Sequence, residues 1–405
     1  MLSRRKFLQS SSIVSLAPIL PSVLGTTARA TTLDADEKVL VVVQLDGGND
    51  GLNTVVPFED DVYANARENL RVDPDKLLKL NDQVGLHPSM RGAKELFDDD
   101  RLTIVQGVGY PNPDRSHFRS MKIWQTASFK DADHSGYGWL GKALDHQMLQ
   151  AARKKSDSKE ANAIFVGDYE TPVALWGRRS SATSITRADD LKLKNGGVGM
   201  TPAAGGPNSG INQFVTKQVL SAYEAAAEFE RQELAKPATA SKGYPGTRLA
   251  SQLKLISKML KSGSQTRIYY TLQSGYDTHS SQKYTHSNLL YEFSSAIKAF
   301  LDDLKAAKLD DRVVVLAFSE FGRQLKENGS LGTDHGTVGP VFLAGSSVNC
   351  GLKGMVPDLT DLEGGEPKMQ FDFRSIYATV LDRWIGVDSK TILGETFETI
   401  PLFKE

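Results

Sequence analysis

Cysteine is almost missing from this chain: Cys350 stands alone among 405 residues, so no intramolecular disulfide can form. Stability has to come from a packed core and from any metal the chain binds. Beyond the first thirty residues no apolar run is long enough to span a membrane. No excess of positive charge exists either, with 48 basic against 49 acidic side chains, which excludes the electrostatic footprint of a nucleic-acid binder. The G-x-S-x-G elbow of ordinary serine esterases occurs nowhere. No internal repeat is evident, and no linker separates two domains. A hydrophobic content of 40% with 24% charged residues is that of a globular protein with a sizeable core.

The N-terminus has its own composition. Ser3-Arg4-Arg5-Lys6-Phe7-Leu8 carries a twin-arginine signature, followed by a modest apolar stretch from Ile13 to Leu24 that Pro18 and Pro21 interrupt. Ala28-Arg29-Ala30 supplies small residues for cleavage. Residues 1–30 are therefore expected to be a removable signal that engages the twin-arginine export machinery, with cleavage after Ala30. Its loss would take Arg4, Arg5, Lys6 and Arg29 and leave a mature chain of net charge −5. The expected location is the periplasm, with no stable membrane span after cleavage.

From Lys38 onward, apolar runs that read as strands alternate with amphipathic stretches that read as helices. Val39–Val43, Leu102–Val105, Ala163–Val166, Ile268–Leu272 and Val313–Phe318 are the strands. Helical spacing marks a stretch opened by His87-Pro88-Ser89, then Ile211–Leu234, Leu249–Leu260, Leu290–Leu304 and Phe371–Ile385, with Asp372 as an N-cap. A long insertion rich in Ser, Thr, Gly and Pro is expected from Arg179 to Gly210. The pattern predicts one α/β domain over 31–405, with a central, mainly parallel sheet and helices on both faces.

The chemistry-bearing residues fall near strand ends, where open α/β sheets bind ligands. Asp46-Gly47-Gly48-Asn49-Asp50 ends the first run; its glycines lack phosphate-loop spacing, which leaves a cation site or a tight turn with positive φ. Arg115-Ser116-His117 stands at a helix entrance, where backbone N–H groups favour an alkoxide or an anion, unless Ser116 or Asp114 is merely an N-cap. Asp277-Thr278-His279 follows a strand and presents two donors to one point, or forms a simple turn. Glu320 and Arg323 surface from another strand, either as acid and anion clamp or as an ion pair. Asp334-His335-Gly336 precedes Val341-Phe342-Leu343. His134, His146 and His286 lack such placement and are expected to be structural or at the surface, and His87 is expected to be a helix-entry residue.

Leu45-Asp46-Gly47-Gly48-Asn49-Asp50-Gly51-Leu52-Asn53, Arg115-Ser116-His117-Phe118, Gly138-Trp139-Leu140-Gly141, Asp277-Thr278-His279, Ser319-Glu320-Phe321-Gly322-Arg323 and Thr333-Asp334-His335-Gly336 resemble the successive motifs of an exported bacterial family known only as domain of unknown function 1501. That family is similar in layout to the alkaline phosphatase superfamily, which includes sulfatases. The resemblance implies an alkaline-phosphatase-like fold with an active site at the sheet's carboxyl edge. It also implies one or two divalent ions, Zn or Mn first and Ca as the alternative. Carried over, Asp46 resembles the acid of one metal, with Asp50 competing for the role. Ser116 falls at the nucleophile's place. Asp277, His279 and His335 resemble the ligands of the other metal, with Asp334 beside them. The superfamily commonly has an Asp-His pair where this chain has Ser319-Glu320, which puts the second ion in question. The implied activity is metal-dependent hydrolysis of a phosphate or sulfate ester, with Ser116 and His117 in catalysis and Arg115 or Arg323 clamping an anionic small molecule or glycan. The alternative is a non-catalytic periplasmic protein that binds an anionic glycan or a protein partner.

Overall fold

A computed structural model describes residues 37–130, 136–153, 163–180, 182–186 and 243–405. The expected signal, the helix over 211–234, His134 and most of the 179–210 insertion lie outside the described residues.

Nine strands form the central sheet: β1 (Val39–Asp46), β2 (Leu102–Gly109), β3 (Ala163–Val166), β4 (Ala182–Ile185), β5 (Ile268–Ser274), β6 (Val313–Phe318), β7 (Gly339–Ala344), β8 (Gly351–Lys353) and β9 (Phe371–Asp372). Their order is β8-β2-β7-β6-β1-β5-β3-β4, with β9 also paired to β2. Among the described residues, six helices of seven or more residues cover it: α1 (Arg91–Asp98), α2 (His117–Thr126), α3 (Trp139–Arg153), α4 (Arg248–Lys261), α5 (Gln282–Ala306) and α6 (Phe373–Thr379).

The apolar run of β1 is continuous because both of its faces are covered. Val39, Val41, Val43 and Leu45 pack into the core formed with α1, α4 and α5. Leu40 and Val42 point the other way, into the core shared with α2, α3 and α6. Successive side chains alternate between faces, so one strand feeds both layers. The expected α/β architecture is the one the chain forms.

β1 lies between β5 and β6 in parallel register. Every pairing in the central sheet is parallel except the two that β7 makes, with β2 and β6. This reversal positions the site. Loops that follow β1, β5 and β6 leave the carboxyl edge, and the loop that precedes an antiparallel strand enters from that same edge. Asp334 and His335 therefore meet residues that follow the other strands.

Three local expectations change. Part of the expected insertion is a strand, since Ala182–Ile185 pairs in parallel with β3 at the sheet edge. A Ser/Thr-containing segment with β-branched residues suits an edge strand that is only partly buried. His87-Pro88-Ser89 forms a turn before α1, which starts at Arg91. The Phe371–Ile385 stretch begins with a short strand, and its helix opens at Phe373. Asp372 caps it, accepting from the Arg374 N–H, and the helix runs on into a wider π turn over Val380–Ile385.

Candidate metal centre

Asp277 is the hub. Its Oδ1 lies 3.3 Å from His117 Nε2, 3.1 Å from His335 Nε2 and 3.1 Å from His279 Nε2. His279 Nε2 and His335 Nε2 stand 2.9 Å apart. Among the described residues, His117, Asp277 and His335 offer ligand atoms that all lie within 4.8 Å of one another. Three segments bring these side chains together: the entrance of α2, the exit of β5, and Thr333–His335, one side of a small ribbon whose other side is Arg323–Glu327.

The other ring nitrogens are tied to acceptors. His117 Nδ1 lies 2.7 Å from Glu320 Oε1, His279 Nδ1 3.0 Å from Asp334 Oδ1, and His335 Nδ1 2.7 Å from the Arg115 carbonyl. Carboxylates and carbonyls only accept, so Nδ1 carries the proton in each neutral ring and Nε2 keeps its lone pair. His117 Nε2 is buried and has no hydrogen-bond partner. Donor type and spacing fit a divalent ion such as zinc. Atoms each about 2.1 Å from one tetrahedral ion stand about 3.4 Å apart, close to the separations seen here.

Partial burial pushes the Asp277 carboxyl up, but the hydrogen bond and the charge of Arg323 outweigh it and hold the group at about 2. The hydrogen bond with Glu320 raises the His117 imidazole above its ordinary value, against the opposing effect of burial. Burial, and then the charge of Glu320, raises the Asp46 carboxyl.

Several residues singled out in the sequence have other duties. Glu320 has no exposed side-chain surface: its Oε1 accepts from Gly47 N (2.9 Å) and His117, and its Oε2 accepts from Ser319 Oγ (2.9 Å). It orients a ring instead of facing an ion. Arg323 is a correction, because it is no anion clamp. Its guanidinium is buried and donates to the carbonyls of Gly48, Thr333, Gly47 and Tyr276 and to Asp277 Oδ1 at 2.8 Å. The alternative reading, an ion pair with Glu320, is replaced by one with Asp277. Asp50 is a second correction. It is fully buried, pairs with Arg67 Nη1 at 2.6 Å, and accepts from Gln282 Nε2 and Asn53 N. Burial alone would raise its carboxyl, and the Arg67 charge holds it below its ordinary value. Asp46 stands at the end of β1, with its Oδ1 accepting from Gln44 Nε2 at 3.1 Å, outside the converging group.

Ser116 occupies the N-cap position of α2, yet its hydroxyl makes no bond to the helix backbone. The residue is exposed, between Arg115 and His117, both of which touch the cluster. Arg115 Nη2 reaches Glu366 Oε1 at 3.2 Å. Burial pushes the Glu366 carboxyl up to about 7, and the Arg115 charge offsets only part of this. Glu366, Gln282 and Arg67 escaped the sequence reading, since none stands at the end of a long strand. Gln282 links both ligand-bearing loops: its Oε1 accepts from Thr278 Oγ1 (3.0 Å) and Thr333 Oγ1 (2.6 Å). His286 is structural, buried with Nε2 donating to Asn49 Oδ1 at 3.0 Å, and His146 bonds Gln150 one turn along α3.

A sheet whose carboxyl edge gathers three imidazoles and a carboxylate defines an α/β protein with a candidate metal centre. The chain belongs to the family described as protein of unknown function (DUF1501), whose profile matches residues 37–396. No curated protein matches it. Among solved structures it is similar to the phosphonate monoester hydrolase SpPMH from Silicibacter pomeroyi (9% identity, 89% of this chain and 77% of that one, TM-score 0.38). It is also similar to the PsFucS1 sulfatase from Pseudoalteromonas sp. (12%, 90% and 71%, 0.37). A third is a protein of the alkaline phosphatase superfamily from Vibrio parahaemolyticus (10%, 89% and 69%, 0.37).

Proposed function

We propose that this chain is an exported, metal-dependent hydrolase of phosphate or sulfate esters. The observation that carries the proposal is the convergence of His117 Nε2, His335 Nε2 and Asp277 Oδ1, with Ser116, whose hydroxyl leaves its own helix uncapped, next to His117 in the chain. Export rests on the twin-arginine motif at Arg4-Arg5, outside the described residues; among the described ones no helix is long and apolar enough to cross a membrane.

A divalent ion held by these residues would stabilise the charge that develops on an attacking hydroxyl and on the transferring group. The chain's own groups supply the rest. Ser116 Oγ is the nucleophile at the open end of α2, where first-turn N–H groups and the helix dipole favour negative charge. Its attack on phosphorus or sulfur forms a serine ester, and the alcohol leaves with the hydroxyl proton. Water then cleaves that ester and restores the serine. Arg115 is half-exposed beside the serine, and its partner Glu366 is only partly ionised near neutral pH. Arg115 therefore keeps attraction for an anion, and it replaces Arg323 as the candidate clamp.

The test is turnover of aryl phosphates and aryl sulfates across Zn, Mn and Ca. Ser116→Ala should lower kcat by about three orders of magnitude or more, each ~1.4 kcal/mol of lost stabilisation being tenfold in rate. Circular dichroism should stay unchanged, because Ser116 is exposed. Equal turnover in the variant removes Ser116 from the mechanism. Absence of hydrolysis with every metal and both ester classes removes the hydrolase reading.

A further inference from the structure

We propose that an anion docking on Arg115 brings a proton with it, taken up by Glu366, so that anions are held more tightly in mild acid than in alkali. The inference rests on Arg115 as the clamp in the reading above; the ester cleaved does not enter it.

Glu366 lies on a hairpin in which Leu362–Glu363 pairs antiparallel with Glu366–Pro367 across Gly364-Gly365. Its side chain is 2% exposed, and its Oε1 stands 3.2 Å from Arg115 Nη2. Its Oε2 is buried with no hydrogen-bond partner. A buried carboxylate keeps its charge only where donors or a counter-charge support it. Among the described residues the ion pair of Glu366 is with a side chain that is itself 43% exposed.

The other charges nearby are engaged elsewhere. Arg67 favours the charged form of Glu366, but its guanidinium is tied to Asp50, Asn53 and the carbonyls of Gln324 and Leu325. The strand Arg323–Glu327 packs against Glu366–Pro367. On it, Arg323 is bonded to carbonyls and to Asp277, Lys326 is exposed, and Glu327 accepts from the N–H groups of Asn69 and Leu70. In the hairpin region Glu363 stands opposite and exposed, and Lys368 pairs with Asp361. Beside Arg115, Asp114 pairs with Arg119.

Burial pushes the Glu366 carboxyl up to about 7, and the charges of Arg115 and Arg67 oppose this. The group therefore exchanges its proton near neutral pH. An anion on the exposed side of the same guanidinium adds negative charge beside the carboxylate and competes for the N–H that supports it. A like charge so close favours the neutral acid. One proton then passes from solvent to Glu366, the carboxylate becomes a carboxyl, and Arg115 is left to the anion. Below about pH 7 the carboxyl already holds its proton and the anion binds at full strength; as pH rises above that, affinity is lost.

The experiment is calorimetric titration of the full chain with inorganic sulfate, whose charge is constant over the range. Wild-type affinity should fall about tenfold between about pH 6 and about pH 8.5. Repeating the alkaline titration in two buffers of different ionisation enthalpy should show proton uptake with sulfate. Glu366→Gln keeps the side chain's shape but cannot titrate; it should match the wild type at the acid end, lose clearly less affinity toward the alkaline end, and take up less proton. Arg115→Ala should lose sulfate binding and stay folded, since that side chain is half-exposed. Equal pH dependence in wild type and Glu366→Gln overturns the inference. So does wild-type binding without proton uptake, which decides the matter even where the buried substitution prevents folding. Sulfate binding unaltered in Arg115→Ala, or absent from the wild type, removes the clamp and this inference together and leaves metal-assisted hydrolysis to its own test.

Discussion

Gly47 shows how tightly single residues are constrained around the centre. Its φ is +120°, and a Cβ at this position would stand 2.4 Å from the Asp277 backbone nitrogen. Its N–H donates to Glu320 and its carbonyl accepts from Arg323, so the peptide touches two of the orienting groups. Gly47→Ala should therefore both destabilise the fold, by about 1–3 kcal/mol or more, and loosen metal binding. Gly351→Ala is the control, with a similar φ of +118° and nothing within 4 Å of its Cβ. A fall in melting temperature in both variants, with zinc affinity reduced only for Gly47→Ala, is the expected result. Equal zinc affinity in the two would separate this turn from the site. Asp277, His279 and His335, which the sequence places near strand ends, meet in space. Partners were not legible: whether Arg323 clamps a ligand or braces Asp277 depends on loops 46 residues apart in sequence. Asp46 and Asp50 look alike in the sequence, yet Arg67 closes off one of them only.

Helix α2 matters because it carries His117 at its first position, so whatever anchors the helix also aims that ring. Trp124 is the anchor. It stacks on Phe318 of β6, with ring centroids 4.9 Å apart, and on Phe373 of α6 at 4.4 Å. Truncating a buried tryptophan costs about 3–5 kcal/mol. Trp124→Ala should thus lower the urea midpoint sharply, and protein that remains folded should bind zinc more weakly. Trp124→Phe should restore most of both. Unaltered zinc binding in folded Trp124→Ala would mean that the Glu320 contact suffices to place His117. At this scale the strands were the most legible part, because a sheet buried on both faces writes its core as unbroken runs such as Val313–Phe318. Short edge strands such as β4 were not, since partial burial leaves no long apolar signature.

Acid stability is a property of the whole molecule, and two histidines outside the candidate centre, the buried His286 and the half-buried His87, govern part of it. Burial disfavours the charged ring and lowers His87 and His286 to about 4, with nearby Asp50 opposing the shift in each. An unfolded chain protonates these rings near the ordinary value of about 6.5, so between 6.5 and 4 the unfolded state binds more protons. Their contribution is complete above about pH 6.5 and is lost as pH falls toward 4, by up to roughly 3 kcal/mol for each ring. In metal-free protein the melting temperature should fall across that window, and His286→Gln, which keeps a donor for Asn49, should flatten the decline. Parallel curves for the two proteins would assign the acid sensitivity to other groups.

Alternation of strand and helix, burial of both sheet faces and the clustering of acids and imidazoles at strand ends were all present in the linear chain, because each is a local pattern of period and residue type. Tertiary structure decided the rest. Reversal of β7 brings His335 to the same edge as Asp277 and His117. Hydrogen bonds between distant segments make Glu320, Arg323 and Asp334 partners of the converging side chains. Such choices depend on distances between segments far apart in the chain, which no local pattern of residues encodes.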